Sequence, residues 1–300
     1  MSTHLTQNAS LPPDIHRFLT NLRGQEVAPK TVTNYASDLS LFATWFQGST
    51  GDAFSAASVT PTDVRDYRGY LQTVAGAKPA TVNRRFAALR RFFLWAKAEH
   101  LISDLPTDGV KGVRSTPTAP KALERREVDR LIRQAERDGS KRNLAILQCL
   151  RHTGLRVGEL CQLRLADITI SERKGSLTVR SGKGSRHRVV PLNLDARKAI
   201  SDYLAVRPTV PDDHLFISQR GEGLKVRAVE DVVKKYARLA GLELSPHTLR
   251  HTFARSALDS GTDLVAVATL LGHQRLETTA IYTKPSARDL ERAVERLETR

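Results

Sequence analysis

Residues 177–192 read LTVRSGKGSRHRVVPL, and they carry the β signal of this chain. Two apolar runs, Leu177–Val179 and Arg188–Leu192, flank the turn Gly182-Lys183-Gly184. Runs of this kind on either side of a glycine-containing turn are typical of a β-hairpin. The stretch therefore predicts two antiparallel strands with Lys183 at the tip, where the flanking glycines permit positive φ angles and close approach to a ligand.

The chain before this hairpin is patterned for helices. Along two stretches apolar residues recur at three- and four-residue steps, which marks one buried helical face in each. They are Val32, Tyr35, Leu39, Phe42 and Phe46 in the first stretch, and Val82, Phe86, Leu89 and Phe93 in the second. Another helix is predicted to begin with Thr60 as N-cap and Pro61 at the first helical position. The N-terminal third is therefore predicted to be all helical.

A stretch rich in proline and glycine divides the chain. Residues 106–120 hold three prolines and two glycines among few apolar side chains, which is typical of a domain boundary. We predict a helical domain over 1–105, a linker over 106–120 and a second domain over 121–300. Helices are predicted on both sides of the hairpin, so the fold class is mainly α with a small antiparallel β-sheet in the C-terminal domain.

The charge balance indicates a polyanionic partner. The formal net charge is +15 and the isoelectric point is about 10.2. Duplex DNA concentrates phosphate charge along a line, so a two-domain clamp around DNA is the expected arrangement. Basic residues outside the apolar stripes are candidate DNA contacts, and a solvated helix face is the alternative for them. These candidates are Lys30, Arg84, Arg85, Arg90 and Arg91.

Several classes of protein are disfavoured by the sequence. No apolar run is long enough to span a bilayer, and residues 1–10 lack the apolar core of a signal peptide. Cys149 and Cys161 have no partner at a metal-ligand spacing, so we interpret them as reduced packing residues of a cytoplasmic protein. Leu177 stands where a P-loop has its first glycine. We therefore expect neither a metal nor a cofactor.

Arg156 and Glu159 form the first cluster with chemical potential. They lie three residues apart in TGLRVGEL, residues 153–160, so on a helix they share a face. An arginine steadied by a nearby carboxylate is a good fixed cation for a phosphate. An ordinary surface ion pair is the alternative for this pair taken alone.

His247 and Arg250 form the second cluster. They lie three apart in PHTLRH, residues 246–251, and Pro246 stands where a helix can begin. Both side chains would project from the first turns, where the helix amides favour an anion. The spacing of His247 and His251 also occurs in zinc proteases, but Thr248 replaces the glutamate that such a motif needs.

His273 and Tyr282 complete the set of candidate residues. His273 ends the segment LLGH, and Tyr282 follows nine residues later in TTAIYT. A lone tyrosine is usually a half-buried packing residue. A tyrosine that accompanies two arginines, two histidines and a lysine is a candidate nucleophile for a phosphodiester.

The order of these clusters resembles that of the tyrosine recombinases, also called phage integrases. The resemblance is strong over residues 121–300, and the N-terminal third is similar to the helical, SAM-like core-binding domain of the family. It implies a catalytic set in which Glu159 supports the first arginine. The set consists of Arg156, Lys183, His247, Arg250, His273 and Tyr282.

The resemblance implies a mechanism without metal or nucleotide. Tyr282 would attack a backbone phosphate and leave a 3′-phosphotyrosine, while arginines and His273 neutralise the phosphoryl charge. Lys183 would protonate the leaving 5′-oxygen, and His247 would either manage the tyrosine proton or contact the phosphate. The partner strand then reverses the step through a Holliday junction. Dimer resolution and integration or excision of a mobile element stay open as biological roles.

The resemblance also implies partners. They are a double-stranded recombination site with inverted half-sites, a homotetramer on two paired sites, and a related recombinase or an accessory protein as a further candidate; no membrane is expected. A type IB topoisomerase-like enzyme and a non-catalytic DNA-binding protein on the same fold are the alternatives.

Leu290, Val294 and Leu297 predict a short amphipathic helix over 286–300, which packs on its own domain or docks into a neighbouring protomer.

Overall fold

The computed structural model describes residues 11–25, 27–114, 121–180, 187–273, 275–283 and 294. The chain divides into two compact units, Met1–Pro117 and Thr118–Arg300, and each is described by itself. The predicted tip of the hairpin, with Lys183, lies outside the described residues. So does the predicted C-terminal helix, apart from Val294. Among the described residues no helix is both long and apolar enough to cross a lipid bilayer.

The first unit is a helical bundle whose helices begin at prolines. Its helices are α1 (Pro13–Gly24), α2 (Pro29–Thr50), α3 (Pro61–Thr73) and α4 (Pro79–Ala98), and a single 3₁₀ turn covers Ala56–Ser58. Proline suits the first helical position because its fixed φ matches the helix and its missing N–H would have no helical partner. Thr60 caps α3 as predicted, through a hydrogen bond from the Asp63 amide to its side chain.

Both predicted apolar stripes lie in the core of this unit. Phe42, Phe46 and Phe93 are fully buried and belong to a cluster of aromatic rings that pack mostly edge to face or at a tilt. The first part of the proposed linker also packs on this core through Val110 and Val113, and Asn83 exchanges two hydrogen bonds with the Val113 backbone. Residues 106–114 are therefore ordered against the first unit.

The second unit is mainly helical around one small sheet, as the sequence predicts. Its elements in chain order are α5 (Arg125–Asp138), α6 (Lys141–Thr153), α7 (Val157–Gln162), β1 (Ile168–Ile170), β2 (Gly175–Val179), β3 (Arg188–Pro191), α8 (Leu194–Leu204), α9 (Val226–Leu239), α10 (Pro246–Asp259), α11 (Leu264–Leu271) and α12 (Glu277–Ala280). Helix α6 is the central element, because it packs against α5, α8 and α10. Cys149 and Cys161 are free and buried, and burial raises the pKa of both thiols, to about 12 and about 11.

The sheet is antiparallel with the order β1-β2-β3. Val190 lies opposite Leu177, and Val189 lies opposite Thr178, so the two strands of the predicted hairpin are paired. Strand β1 was not predicted. It has only three residues, Ile168, Thr169 and Ile170, and so short an alternation gives little signal before its partner β2 is known.

Candidate active site

The site begins at the turn between α6 and α7. Gly154 ends α6 in the left-handed conformation with φ 61°, and the side chains of Phe253 and Leu271 occupy the space that a Cβ would need. The turn allows Arg156 to be the N-cap residue of α7. One short turn of chain thus fixes an arginine at the start of a helix and lets α10 and α11 approach it.

Glu159 connects the arginines of the site. Its carboxylate accepts hydrogen bonds from the Arg156 guanidinium at 2.8 Å and from Arg188 at 3.0 and 2.7 Å, and Arg250 Nη1 lies 4.0 Å away. Burial opposes ionisation of Glu159, but the hydrogen bonds from Arg188 and from the Arg156 backbone outweigh it and hold its pKa below the ordinary value. A charged Glu159 therefore orients three cations from three separate elements.

Sequence reasoning missed Arg188. It opens β3 and donates from Nε to the Leu270 carbonyl at 2.9 Å, while two of its nitrogens bind Glu159. Gly272, with φ 66°, lets the guanidinium come so close that a Cβ there would lie 2.8 Å from Nη1. Arg188 thus ties the hairpin to α7 and to the end of α11. A basic residue beside the strand was visible in the sequence, but its partner Glu159 is 29 residues away.

Arg250 is the buried cation of the site, with its side chain 3% exposed. It donates to the Gly154 and Leu271 carbonyls and, at 2.9 Å, to His273 Nε2. Burial and the charge of Arg156 lower its pKa to about 10, so it stays charged at neutral pH. Arg156 is 45% exposed, so the two predicted arginines lie at different depths of one cluster.

His273 is held between Arg250 and Thr279. Because Arg250 donates to Nε2, the proton of a neutral ring is on Nδ1, which lies 2.7 Å from the Thr279 hydroxyl oxygen. Burial and the charge of Arg250 lower the pKa of His273 to about 4, which favours this neutral form. His273 is thereby fixed in orientation by a cation on one side and a buried hydroxyl on the other.

Tyr282 is buried, with 6% of its surface exposed, and its hydroxyl lies 2.8 Å from His251 Nδ1. Burial raises the pKa of Tyr282 against the opposing charges of Arg250 and Arg156, so the hydroxyl is protonated at neutral pH. His247, the histidine singled out in the sequence, is exposed and stacks on the His251 ring with 5.5 Å between centroids. His251 is therefore the histidine in direct contact with the tyrosine oxygen, and sequence reasoning weighed it only as a zinc ligand.

The candidate DNA contacts of the first unit lie on α2 and α4. Lys30 and Arg90 are exposed. Arg84 and Arg85 both approach the buried carboxylate of Asp38, at 3.9 Å for Arg85, and Arg91 donates to Gln25 at 3.3 Å. Arg85 is only 20% exposed, so Arg84 and Arg85 have a structural role through Asp38 in addition to any contact with DNA.

One group among the described residues has the geometry for a metal ion. The ligand atoms of Asp212, Asp213 and His214 lie within 4.8 Å of one another. The Asp212 carboxylate, however, accepts from the backbone and ring of His214 and from the Gly223 amide, and Asp213 pairs with Arg164. These acids fold the loop before α9, and they are separate from the arginine cluster.

Comparison with known proteins identifies the family. The phage integrase family model matches residues 121–288, and the SAM-like N-terminal domain model of phage integrases matches residues 15–100. The chain belongs to the phage integrase family. It is a tyrosine recombinase, an enzyme that exchanges DNA strands at specific sites. Its sequence is 34% identical over 297 residues to the tyrosine recombinase XerD of Ralstonia nicotianae, covering 94% of each chain.

Two solved structures share the fold of this recombinase. One is the XerH site-specific recombinase bound to palindromic difH substrate in a post-cleavage complex, with a TM-score of 0.76 and 24% identity over 95% of this chain and 84% of that one. The other is a lambda integrase tetramer bound to a Holliday junction, with a TM-score of 0.71 and 21% identity over 90% of this chain and 76% of that one.

Proposed function

We propose that this recombinase cuts DNA by attack of the Tyr282 hydroxyl on a backbone phosphate, which leaves a 3′-phosphotyrosine and a free 5′-hydroxyl. The proposal rests on one observation: a buried tyrosine hydroxyl lies near enough to Arg250 on α10 and to Arg156 at the start of α7 for both charges to lower its pKa against burial. The phosphotyrosine conserves the energy of the broken bond, so resealing by the 5′-hydroxyl of a partner strand needs no nucleotide.

The two arginines take different parts in this proposal. Arg156 is exposed enough to meet the phosphate directly, whereas Arg250 supports the developing charge from beneath. His273 contributes a third phosphate-binding group. It becomes available when the phosphate competes for the hydrogen bond that Arg250 donates to His273 Nε2. His247 contacts the phosphate from the exposed first turn of α10. Lys183 protonates the leaving 5′-oxygen, a role that comes from the family resemblance.

The proposed substrate is a duplex site with two inverted half-sites, and the proposed active assembly is a homotetramer on two such sites. Joining two duplexes requires cleavage of four strands, and each Tyr282 serves one strand. The palindromic substrate of XerH and the tetramer of lambda integrase on a Holliday junction support this arrangement by analogy of fold. We expect both basic units to contact the duplex, and the predicted helix over 286–300 to dock head to tail on a neighbouring protomer.

The decisive experiment traps the covalent intermediate. A site nicked near the cleavage position loses a short 5′-hydroxyl fragment after attack, so the wild-type protein stays linked to DNA and runs as a shifted band on a denaturing gel. Tyr282→Phe should form no such complex while binding the half-site with nearly unchanged affinity, since it removes one hydroxyl and little packing surface. A persistent covalent band from the Phe variant would overturn the assignment of the nucleophile.

A supercoiled plasmid separates this proposal from the topoisomerase-like alternative. A recombinase joins two sites and leaves plasmids without its site unchanged. Relaxation of plasmids regardless of sequence, with no recombinant product, would favour the alternative.

A further inference from the structure

His251 lies where the proton of the nucleophile must leave. It follows Arg250 on α10, one helical turn beyond His247, and its Nδ1 is 2.8 Å from the Tyr282 oxygen. The rings of His251 and Tyr282 have centroids 5.3 Å apart. The family resemblance assigns a role to His247, Arg250 and His273, and none to His251.

The direction of this hydrogen bond follows from the protonation states. Burial keeps Tyr282 protonated at neutral pH, so its O–H can donate. Burial and the neighbouring His247 and Arg250 lower the pKa of His251 to about 4, so the ring is neutral and one nitrogen is an acceptor. Tyr282 therefore donates to Nδ1, and the ring proton of His251 is on Nε2.

We propose that His251 accepts the proton of the Tyr282 hydroxyl on Nδ1 as the tyrosine oxygen attacks the phosphate. In this step the tyrosine O–P bond forms and the bond from phosphorus to the 5′-oxygen breaks. The phenolic proton moves to His251, and the leaving 5′-oxygen takes a proton from the general acid, assigned to Lys183. On resealing each proton returns along the same path. This inference rests on the proposed function, because it requires Tyr282 as nucleophile.

His247 has the weaker geometry for this task. Its ring lies parallel to that of His251, with 9° between the planes, and it is the exposed member of the stack. The nitrogen that meets the tyrosine oxygen belongs to the inner ring. In this arrangement His247 is the histidine open to solvent, and His251 is the one in contact with the Tyr282 oxygen.

The charges around His251 explain how a weak base can act here. On α10 it faces His247 and Arg250, and Arg255 one turn on pairs with Asp259. Tyr282 faces it from the segment after α12, and His273 lies parallel to the tyrosine ring. Of the helices packed on α10, α11 carries no ionisable residue, and at the end of α6 Arg151 and His152 engage Asp129 and Asp195. Burial, with the neighbouring His247 and Arg250, keeps His251 neutral before DNA binds, and the negative phosphate then favours its protonated form.

The test compares His251→Asn with the matched variant His247→Asn. Asparagine keeps an acceptor near the Nδ1 position but takes up no proton. Single-turnover cleavage of the nicked site is measured from pH 6 to pH 9, and each variant rate is divided by the wild-type rate so that ionisations common to both cancel. We expect His251→Asn to reduce cleavage at neutral pH by about 10²–10⁴-fold, the usual contribution of a general base.

The pH dependence decides between the histidines. Without an internal acceptor only ionised Tyr282 attacks, so the rate ratio for His251→Asn should rise about tenfold per pH unit. The ratio for His247→Asn should stay constant, whatever its size. A constant ratio for His251→Asn would overturn the proposal, and a rising ratio for His247→Asn would transfer the role to that residue.

A substrate with sulfur in place of the bridging 5′-oxygen separates the two proton transfers. A thiolate leaves without protonation, so this substrate should restore cleavage by Lys183→Ala but not by His251→Asn. Restoration of His251→Asn would mean that His251 serves the leaving group, contrary to the proposal. Half-site binding and circular dichroism verify that the variant folds. If it does not, His251→Gly with added imidazole replaces it, and failure of imidazole to raise its cleavage rate would then count against the proposal.

The outcome also separates this inference from the proposed function. A covalent complex formed by Tyr282→Phe would remove the nucleophile and both proposals with it. A pH-independent ratio for His251→Asn, with Tyr282→Phe inactive, would remove only the role of His251.

Discussion

The arginine side and the tyrosine side of the active site are held by different interactions. Glu159 and main-chain carbonyls hold Arg156, Arg188 and Arg250 through charge-assisted hydrogen bonds. The tyrosine side depends on the four-residue helix α12 and on two hydrogen bonds of neutral histidines: His273 Nδ1–H donates to the Thr279 hydroxyl oxygen, and the Tyr282 hydroxyl donates to His251. So short a helix has little stability of its own, so tertiary contacts must place it.

Because of this difference, we expect the two sides to respond differently to DNA. The cations are preorganised at any pH at which Glu159 is ionised, so we expect them to receive a phosphate without rearrangement. The histidine hydrogen bonds change their donor and acceptor pattern whenever a proton or a phosphate arrives. We therefore expect the placement of Tyr282, the proposed nucleophile, to be the part of the site that bound DNA adjusts.

Replacing an arginine of the preorganised side should have the largest effect on the cleavage rate. Arg250→Lys keeps the charge but loses the planar set of donors that reaches two carbonyls and His273 at once. We expect cleavage of the nicked site to fall by about 10²–10³-fold, with half-site affinity nearly unchanged. Arg156→Lys should act in the same direction. Near-wild-type cleavage by either variant would remove that arginine from the catalytic cluster.

Removing Arg188 should destabilise the second unit. Arg188→Met leaves the Glu159 carboxylate without its two-bond partner in a largely buried place, at a cost of about 3 kcal/mol in the free energy of unfolding. Urea unfolding should be followed by circular dichroism, because Trp45 and Trp95 both report on the first unit. The double variant Arg188→Met/Glu159→Gln should recover part of the loss. Equal midpoints for wild type and Arg188→Met would contradict this role.

Acid should loosen the tyrosine side before the arginine side. Folding lowers the pKa of His251 and of His273 from 6.5 to about 4, so between these values the unfolded chain binds more protons than the folded one. The free energy of unfolding should therefore fall as the pH drops from about 7 to 4. Glu159, whose pKa is lowered from 4.5, begins to lose its contribution only at the acid end of that window, as the pH falls through about 4.5.

Unfolding at several pH values tests this comparison. His251→Asn should show a shallower loss of stability with acid than the wild-type protein, since one of the titrating groups is gone. His152, whose pKa is also lowered to about 4, contributes to the remaining slope. An identical pH dependence for wild type and His251→Asn would show that folding does not lower the pKa of His251.

A single substitution in α12 should have a smaller effect, and it tests how the tyrosine side holds His273. Thr279→Val removes the hydroxyl that meets His273 Nδ1 and leaves that nitrogen without this partner, which costs about 1–3 kcal/mol. We expect a cleavage rate about tenfold lower, since about 1.4 kcal/mol of lost positioning energy corresponds to that factor. Thr279→Ser should restore the rate, and Thr278→Val, at the exposed neighbouring position, should have no effect. Equal rates for both valine variants would show that Thr279 does not position His273.

Much of the fold was predictable because its signals are local. Pro61 and Pro246 start helices at the positions where proline fits a first turn, and the apolar stripe from Val82 to Phe93 has the helical period that the core requires. The hairpin strands were predictable because β-branched runs flank glycines. Strand β1 was not, because three residues become a strand only when β2 lies beside them.

The family and the order of the candidate site residues could be recognised from the sequence, because Arg156, His247, Arg250, His273 and Tyr282 occur in short motifs with recognisable spacing. The contacts between these side chains depend on how distant segments pack. The partner of Arg188 is 29 residues away, and that of His251 is 31 residues away. Neither contact produces a periodic pattern or a short motif in the sequence. Packing of α7, β3 and α10 in the second unit brings these groups within hydrogen-bonding distance. These contacts fix the positions of the arginines and the hydrogen bond that the Tyr282 hydroxyl donates.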